Sequence, residues 1–228
     1  DVMRYSLRRT VMVLLFLALT ILCGESADVS LSLLLRRGVR FFDIAGAMIP
    51  PDMSYGRIVL APLWATVQMS LAGTGIGAVL GLVGGSFASA YLNPHAWLRV
   101  PFKAVIHLIR TIPALILALL CTFLVGLGTL AGTLALSIYT TAVMARMGYE
   151  DMENADQKAA KALEAAGCGR LRAFIRTILP VVLAGYLINV LYMLEANVRH
   201  AAILGYVGAG GIGLLLNERL AWREYSEV

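Results

Sequence analysis

The stretch that decides the fold is Lys161-Ala-Leu-Glu-Ala-Ala-Gly-Cys-Gly-Arg-Leu-Arg-Ala-Phe-Ile-Arg-Thr-Ile-Leu-Pro180, a charged segment between long apolar runs. A chain embedded in a membrane rarely keeps so polar a segment unless a partner in the aqueous phase contacts it. The small residues Ala165, Ala166 and Gly167 would let a short helix lie close against such a partner. Pro180 is typical of the first turn of a helix, so it predicts the start of the next apolar span.

The composition of the chain indicates whether it is surrounded by water or by lipid. Of the 228 residues, 59% are hydrophobic and 14% are charged, whereas a soluble domain is about 25% charged. We therefore expect an integral membrane protein with one polytopic domain. The net charge of +5 suits cytoplasmic loops rich in Lys and Arg and does not indicate nucleic-acid binding. Cys23, Cys121 and Cys168 lack the spacing of a metal site or a disulfide, so neither is predicted.

The apolar runs predict an all-α integral membrane protein, a polytopic helical bundle with about five or six transmembrane helices. Arg8 and Arg9 precede the first run and place its N-terminus in the cytoplasm. Pro113 interrupts the third run. The predicted spans are residues 10–23, 58–91, 105–125, 130–147 and 179–197.

The segments between these spans predict the domain organisation. Residues 30–42 are amphipathic and indicate an interfacial helix on the outer side. Residues 1–57 therefore form an N-terminal transmembrane helix plus an outer amphipathic segment. Residues 58–228 form a core domain with a cytoplasmic loop at about 148–176, and residues 93–103 form a basic cytoplasmic turn.

Four glycines of the second span are spaced by four residues and share one helical face, where another helix can approach closely. They are Gly73, Gly77, Gly81 and Gly85. The pattern is consistent with a tight seam in a moving bundle and with ordinary packing of small residues, and it favours the second interpretation.

A possible substrate pathway is indicated near the end of the fifth span. Glu195 and Arg199 are spaced i, i+4 and can pair on one face. Charge inside a membrane is costly and indicates a pathway or a switch, and an anion would favour Arg199, with Arg110 along its route. A structural ion pair near the interface fits equally well. The predicted pathway or gate residues are Arg110, Glu195, Asn197, Arg199, Gly208, Gly210 and Gly211.

The glycines that follow formally match the GxGxxG pattern from Gly208 to Gly213. A dinucleotide site also needs a strand before this pattern and a helix after it in a βαβ unit, and no such setting is predicted. Such glycines more plausibly permit irregular backbone beside a translocation path.

The charged segment resembles the cytoplasmic coupling loop of binding-protein-dependent ABC importer permeases. The interval from Gly167 to Pro180, with Ile178-Leu179, reproduces the family pattern, which begins with Glu-Ala-Ala. In that register the family's Glu falls on Lys161, and Glu164-Ala-Ala lies one turn later. A plain solvated loop is the alternative. The resemblance implies contact with a cytosolic ATPase through Ala162, Leu163, Glu164, Ala165, Ala166, Gly167, Cys168, Gly169 and Pro180.

Over residues 58–228 the chain resembles the phosphonate-type permeases of that superfamily. The resemblance rests on Arg110-Thr-Ile-Pro113, Val125-Gly-Leu-Gly128, Tyr149-Glu150 with Glu153-Asn-Ala-Asp156, and 195–213. Members usually carry one more C-terminal helix, and the sequence is expected to stop before it.

That resemblance implies the fold of a type I ABC importer permease and import of phosphonate or a related phosphorus oxyanion such as phosphite or phosphate. It implies a homodimer in the bacterial plasma membrane, two cytosolic ATP-binding subunits that bind ATP and Mg, and an extracytoplasmic substrate-binding protein. The chain itself would bind no cofactor and catalyse no reaction.

Three alternatives remain at this point. An importer for methionine or another small solute would share the coupling loop. A membrane-embedded enzyme could use Glu150, Asp151, Glu153 and Asp156 as metal ligands. A secondary transporter would work without an ATPase, although no inverted repeat supports it.

Overall fold

The computed structural model describes residues 2–26 and 31–228, and among these it contains helices and no strand. Two compact units are formed, one by the segment up to Pro51 with residues 225–228, the other by Asp52–Glu224. The first unit contains α1 (Val2–Ser26) and α2 (Leu31–Ala47). The helices of the second unit are α3 (Gly56–Ala88), α4 (Ala96–Thr111), α5 (Ala114–Val125), α6 (Thr129–Asn154), α7 (Lys158–Ala165), α8 (Arg170–Leu204) and α9 (Ile212–Trp222).

Both predicted N-terminal segments are helical where they are described. At 25 residues, α1 is about 37 Å long and exceeds a hydrocarbon core of about 30 Å. Its predicted role as the first span stays a prediction. The predicted amphipathic helix begins at residue 30, which lies outside the described residues, and α2 continues it to Ala47, ahead of Pro50.

Three helices of the described residues are long and apolar enough to cross a membrane, namely α3, α6 and α8 with its extension to Val207. The pair α4 and α5 would add a fourth crossing if counted as one span. The prediction of an all-α, multi-pass chain is confirmed. The described residues supply three or four of the five or six spans expected from the sequence.

The glycine ladder of α3 forms a close helix contact with α6. A Cβ atom added at Gly73 would lie 2.7 Å from the Leu136 Cβ, and one added at Gly77 would lie 2.5 Å from the Thr140 Cβ. One added at Gly81 would lie 2.7 Å from the Met144 Cβ. The residue numbers of the contacting pairs rise together along both helices, so α3 and α6 run parallel. Their backbones approach as closely as glycine allows.

The predicted third span, 105–125, is interrupted at Pro113 as expected, but it is not one straight helix. The structure has two helices there, α4 and α5, bent by 95° at Ile112–Pro113. A residue before proline is pushed out of the helical region, and Ile112 is extended (φ −82°, ψ 121°). The predicted basic turn at 93–103 is also too long, because α4 begins at Ala96.

The boundaries around the charged segment also differ from those predicted. α6 continues through Tyr149 to Asn154, so the first residues of the predicted loop are helical. α8 begins at Arg170 and contains Pro180 in its interior, so Pro180 does not mark the start of the span. An 11-residue helix, α9, follows the glycine-rich segment.

The main core of the second unit lies between α3, α5, α6 and α8. Met69, Leu136 and Leu204 are fully buried there. Small residues of α5, α6 and α8, such as Ala118 and Ala201, fill the remaining space. In the part of the chain that the structure describes, the eight-residue helix α7 connects the end of α6 to the start of α8.

Candidate coupling helix and candidate pathway

A helix-stop motif gives Gly167 its specific role at the end of α7. Cys168 N–H donates to the Leu163 carbonyl at 2.9 Å, and Gly167 N–H donates to the Glu164 carbonyl at 2.9 Å. This is the Schellman pattern, which places a left-handed residue just after the helix. Gly167 has φ +88°, which side chains disfavour. The chain therefore turns sharply from α7 into α8.

One face of α7 and its turn is exposed and made of small residues. Ala162, Ala165 and Ala166 are exposed, as are Gly167 and Gly169, while Leu163, Glu164 and Cys168 are half-buried. Pro180 lies apart from this turn, on an exposed side of α8. Such a face admits close contact with another protein, and its docking to an ATPase stays a prediction.

The opposite face of α7 is anchored to the turn that follows α3. The Glu164 carboxylate accepts a hydrogen bond from the Tyr91 hydroxyl at 2.5 Å and lies 3.6 Å from Arg170 Nε. The Tyr91 ring stacks on Phe174 with centroids 6.1 Å apart. Burial and the hydrogen bond to Glu164 raise the pKa of Tyr91 to about 12. Ala160, fully buried in the same cluster, completes the contact with α6 and α8.

A second polar network joins the ends of α3, α4 and α6. Lys103 lies 2.9 Å from the Glu153 carboxylate, which also accepts a hydrogen bond from Ala90 N–H at 2.8 Å. The Lys103 ammonium lies 4.0 Å from the centre of the Tyr149 ring, and the Tyr149 hydroxyl is 3.1 Å from His107 Nε2. This network holds the turn after α3 against α4 and α6.

These contacts bear on the acidic residues that an enzyme would use as metal ligands. Glu150 pairs with Arg146 at 2.6 Å, Glu153 pairs with Lys103, and Asp156 lies 3.8 Å from Lys158. Among residues 2–26 and 31–228, no group of three or more His, Cys, Asp or Glu side chains could hold a metal ion.

The predicted ion pair of α8 is formed. Arg199 Nη2 lies 3.2 Å from Glu195 Oε1, and the two side chains are 65% and 67% exposed. Apolar Leu191 and Tyr192 are exposed one turn earlier. Arg110 lies in the last turn of α4, and within the described residues it shares no hydrogen bond or ion pair with Glu195 or Arg199. The structure therefore does not join the three predicted charges into one site.

Asn197 lies inside the bundle rather than on that exposed face. It is fully buried, and its Nδ2 donates to the hydroxyls of Thr74 and Thr140 at 2.8 Å each. Its backbone carbonyl accepts from Ser70 Oγ at 3.3 Å. Asn197 thus joins α3, α6 and α8. The sequence signal for this junction was the presence of Ser and Thr in otherwise apolar spans, since such residues form bonds between membrane helices.

The glycine-rich segment is a backbone reversal between α8 and α9. A 3₁₀ turn at Gly205–Val207 is followed by positive φ angles at Gly208, Gly210 and Gly211. Gly128 N–H donates to the Gly208 carbonyl at 2.9 Å, which ties the reversal to the α5–α6 turn. The irregular backbone expected here is present, and its role as a gate stays a prediction.

The reversal also packs directly on α3. Ile212 N–H donates to Thr66 Oγ1 at 2.8 Å, and a Cβ added at Gly211 would lie 2.6 Å from the same oxygen. A Cβ added at Gly213 would lie 1.8 Å from the Ala202 carbonyl oxygen. The Thr66 hydroxyl and the Ala202 carbonyl therefore occupy the space that side chains at these two positions would need.

Comparison with known proteins places this geometry in a family. The family described as binding-protein-dependent transport system inner membrane component matches residues 77–228. The chain is similar to the phosphite transport system permease protein PtxC of Stutzerimonas stutzeri, with 33% identity over 81% of this chain and 67% of the relative. It is similar to the phosphate-import permease protein PhnE of Mycolicibacterium smegmatis, with 33% identity over 76% of this chain and 33% of the relative.

Solved structures give the same fold. The inward-facing MetNI methionine ABC transporter superposes with a TM-score of 0.66 at 22% identity, over 74% of this chain and 82% of that chain. This level of identity supports the architecture alone. The segment matched by the family, residues 77–228, includes the glycine seam from Gly77 onward, the helix α7 and the α8–α9 reversal. The chain therefore belongs to the family of inner membrane components of binding-protein-dependent transport systems.

Proposed function

We propose that this chain is the permease subunit of an ATP-driven importer for phosphite, phosphonate or phosphate. The similarity to PtxC over 81% of the chain is the observation that carries the substrate class. The chain spans about two thirds of PtxC and one third of PhnE, so the activity of the whole protein is inferred from the part in common.

The Glu195–Arg199 pair suits passage of a small anion better than its tight retention. A guanidinium has five N–H donors, and in the structure the Glu195 carboxylate approaches only one side of Arg199. An arriving oxyanion can use the remaining donors, while the nearby carboxylate lowers its affinity. A pathway site must release what it binds.

The coupling helix would convert ATPase motion into motion of the bundle. Its exposed small-residue face would dock on a cytosolic ATP-binding subunit, and its Glu164–Tyr91 contact would carry displacement to α3. Because the glycine seam leaves α3 and α6 almost no room to slide, these two helices would move as one body.

The complete importer would contain a second copy of this chain, two ATP-binding subunits that hold ATP and Mg, and an extracytoplasmic binding protein, in a bacterial plasma membrane. The chain would hydrolyse no ATP itself. The four acidic residues that a membrane enzyme would use are engaged with basic side chains or spread along α6.

Uptake by membrane vesicles that contain the chain with its ATPase and binding protein tests this proposal. We expect ATP-dependent uptake of phosphite, methylphosphonate or phosphate, and no uptake of methionine. Arg199→Gln should slow anion uptake, whereas Arg57→Gln, which removes an exposed charge at the start of α3, should not. Uptake of methionine alone would reject the substrate class, and uptake that persists without ATP would reject the importer.

A further inference from the structure

A groove of about 760 Å³ lies between α3 and α8, at the ends of these helices that adjoin α7. Its walls are apolar and come from α3, the turn after it, the start of α4 and the first turns of α8. Val83, Leu171 and Ile175 are 51%, 60% and 49% exposed, so the groove is open along its length. Its volume falls within the range of about 300–1,000 Å³ that is typical of ligand sites.

One end of this groove is basic. Arg170 lines it, and the carbonyl of Asn93, another lining residue, accepts a hydrogen bond from Arg99 Nη1 at 3.2 Å. Asn93 follows the end of α3 and Arg170 is the first residue of α8, so both guanidinium groups lie toward the α7 end of the groove. The acidic group facing Arg170 is Glu164, at 3.6 Å. Each guanidinium has five N–H donors, so both arginines retain donors for an anion.

An exposed tryptophan beside this basic end indicates that it lies at the depth of the lipid headgroups. Trp97, in the first turn of α4, is 72% exposed, and exposed tryptophan is typical of the headgroup region. The groove then runs from this level along the apolar walls of two spanning helices. An occupant must therefore combine a long apolar body with an anionic head.

We propose that the groove binds one anionic phospholipid of the cytoplasmic leaflet, with an acyl chain along the groove and the phosphate between Arg170 and Arg99. Basic pockets between spanning helices on this side of a membrane suit anionic headgroups.

Lipid retention by the purified full chain tests this site without any transport assay. The chain is placed in nanodiscs with equal phosphatidylglycerol and phosphatidylcholine, and bound lipids are counted by native mass spectrometry. Arg170→Gln and Arg99→Gln should each reduce the preference for phosphatidylglycerol about fivefold, the effect of one surface arginine. Arg172→Gln is the matched control, because Arg172 is exposed on α8 and does not line the groove.

A second pair of variants tests the apolar part. Ile175→Trp should fill the groove and remove the retained lipid of both kinds, and Val83→Phe does the same from the opposite wall if the first variant does not fold. The proposal is overturned if Arg172→Gln reduces the preference as much as Arg170→Gln, since the attraction would then be a general surface effect. It is also overturned if the filled groove keeps its lipid, or if filling it abolishes self-association instead, since a second copy would then be the occupant.

Discussion

Substitution of Gly77 by alanine should destabilise the bundle, because the added methyl has no space in the α3–α6 seam. The new Cβ would lie 2.5 Å from the Thr140 Cβ, 2.8 Å from its Cγ2 and 3.0 Å from the Ser137 carbonyl oxygen. Carbon atoms pack at about 3.5–4.0 Å, so the helices must separate by about 1 Å. The contacts at Gly73 and Gly81 would loosen with them.

The expected cost follows from these distances. Overfilling a packed site costs about 1–3 kcal/mol, and the better helix propensity of alanine returns at most about 1 kcal/mol. Gly75→Ala is the matched control, since Gly75 lies in the same helix and nothing lies within 4 Å of its added Cβ. The free energy of unfolding of Gly75→Ala should exceed that of the wild type by about 0.5–1 kcal/mol, because alanine favours the helix more than glycine does.

The free energy of unfolding in mixed detergent micelles measures both variants. Gly77→Ala should lie about 1–3 kcal/mol below Gly75→Ala, because both gain the same helix propensity and only Gly77→Ala overfills a packed site. Equal stabilities would refute the close approach of α3 and α6. A loss in both variants would show that α3 tolerates no side chain on either face, which the exposed position of Gly75 contradicts.

Three further predictions concern the reversal, the buried junction and the coupling helix. Gly213→Ala should prevent folding, because its Cβ would lie 1.8 Å from the Ala202 carbonyl oxygen. Its control is Gly185→Ala, whose added Cβ has nothing within 4 Å. In size-exclusion chromatography the control should yield normal amounts of monodisperse chain, and Gly213→Ala should not. Asn197→Ala should lower the free energy of unfolding by about 1–2 kcal/mol, since two hydrogen bonds between membrane helices are lost at about 0.6 kcal/mol each and a small cavity is left. An unchanged free energy in chemical denaturation would contradict the role of Asn197 in joining α3, α6 and α8. Tyr91→Phe should reduce coupled transport by the same factor at every pH from 6 to 9, because the raised pKa of Tyr91, about 12, keeps its hydroxyl protonated throughout. A factor that varies across this pH range would count against the Tyr91 hydroxyl as the hydrogen-bond donor.

Local patterns in the sequence predicted the features that depend on local spacing. The glycines of α3 were predicted to share a face because four-residue spacing is helical, and the structure places that face on α6. The Glu195–Arg199 pair was predicted in the same way, from i, i+4 spacing. The length and apolarity of the second, fourth and fifth runs were enough to identify α3, α6 and α8.

Features that join distant segments could not be predicted in this way. The Tyr91–Glu164 hydrogen bond spans 73 residues, and the Asn197–Thr74 bond spans 123. Both depend on which helices become neighbours, which local spacing does not specify. Pro113 indicated a break in the third run, but the angle of 95° between α4 and α5 depends on their packing against α6.

Transmission of ATPase motion from α7 to Tyr91, in the turn after α3, is tested most directly by the number of phosphite ions imported per ATP hydrolysed. The reconstituted importer would be compared with Tyr91→Phe, Glu164→Ala and the double variant, and with Glu218→Ala as an exposed control on α9. A hydrogen bond to a charged group contributes about 1.5–3 kcal/mol, or roughly 10- to 150-fold in the population of the attached helix. We predict that each single variant lowers the ratio severalfold, that the double variant is no worse than Glu164→Ala, and that Glu218→Ala matches the wild type. An unchanged ratio in both single variants would contradict this coupling route.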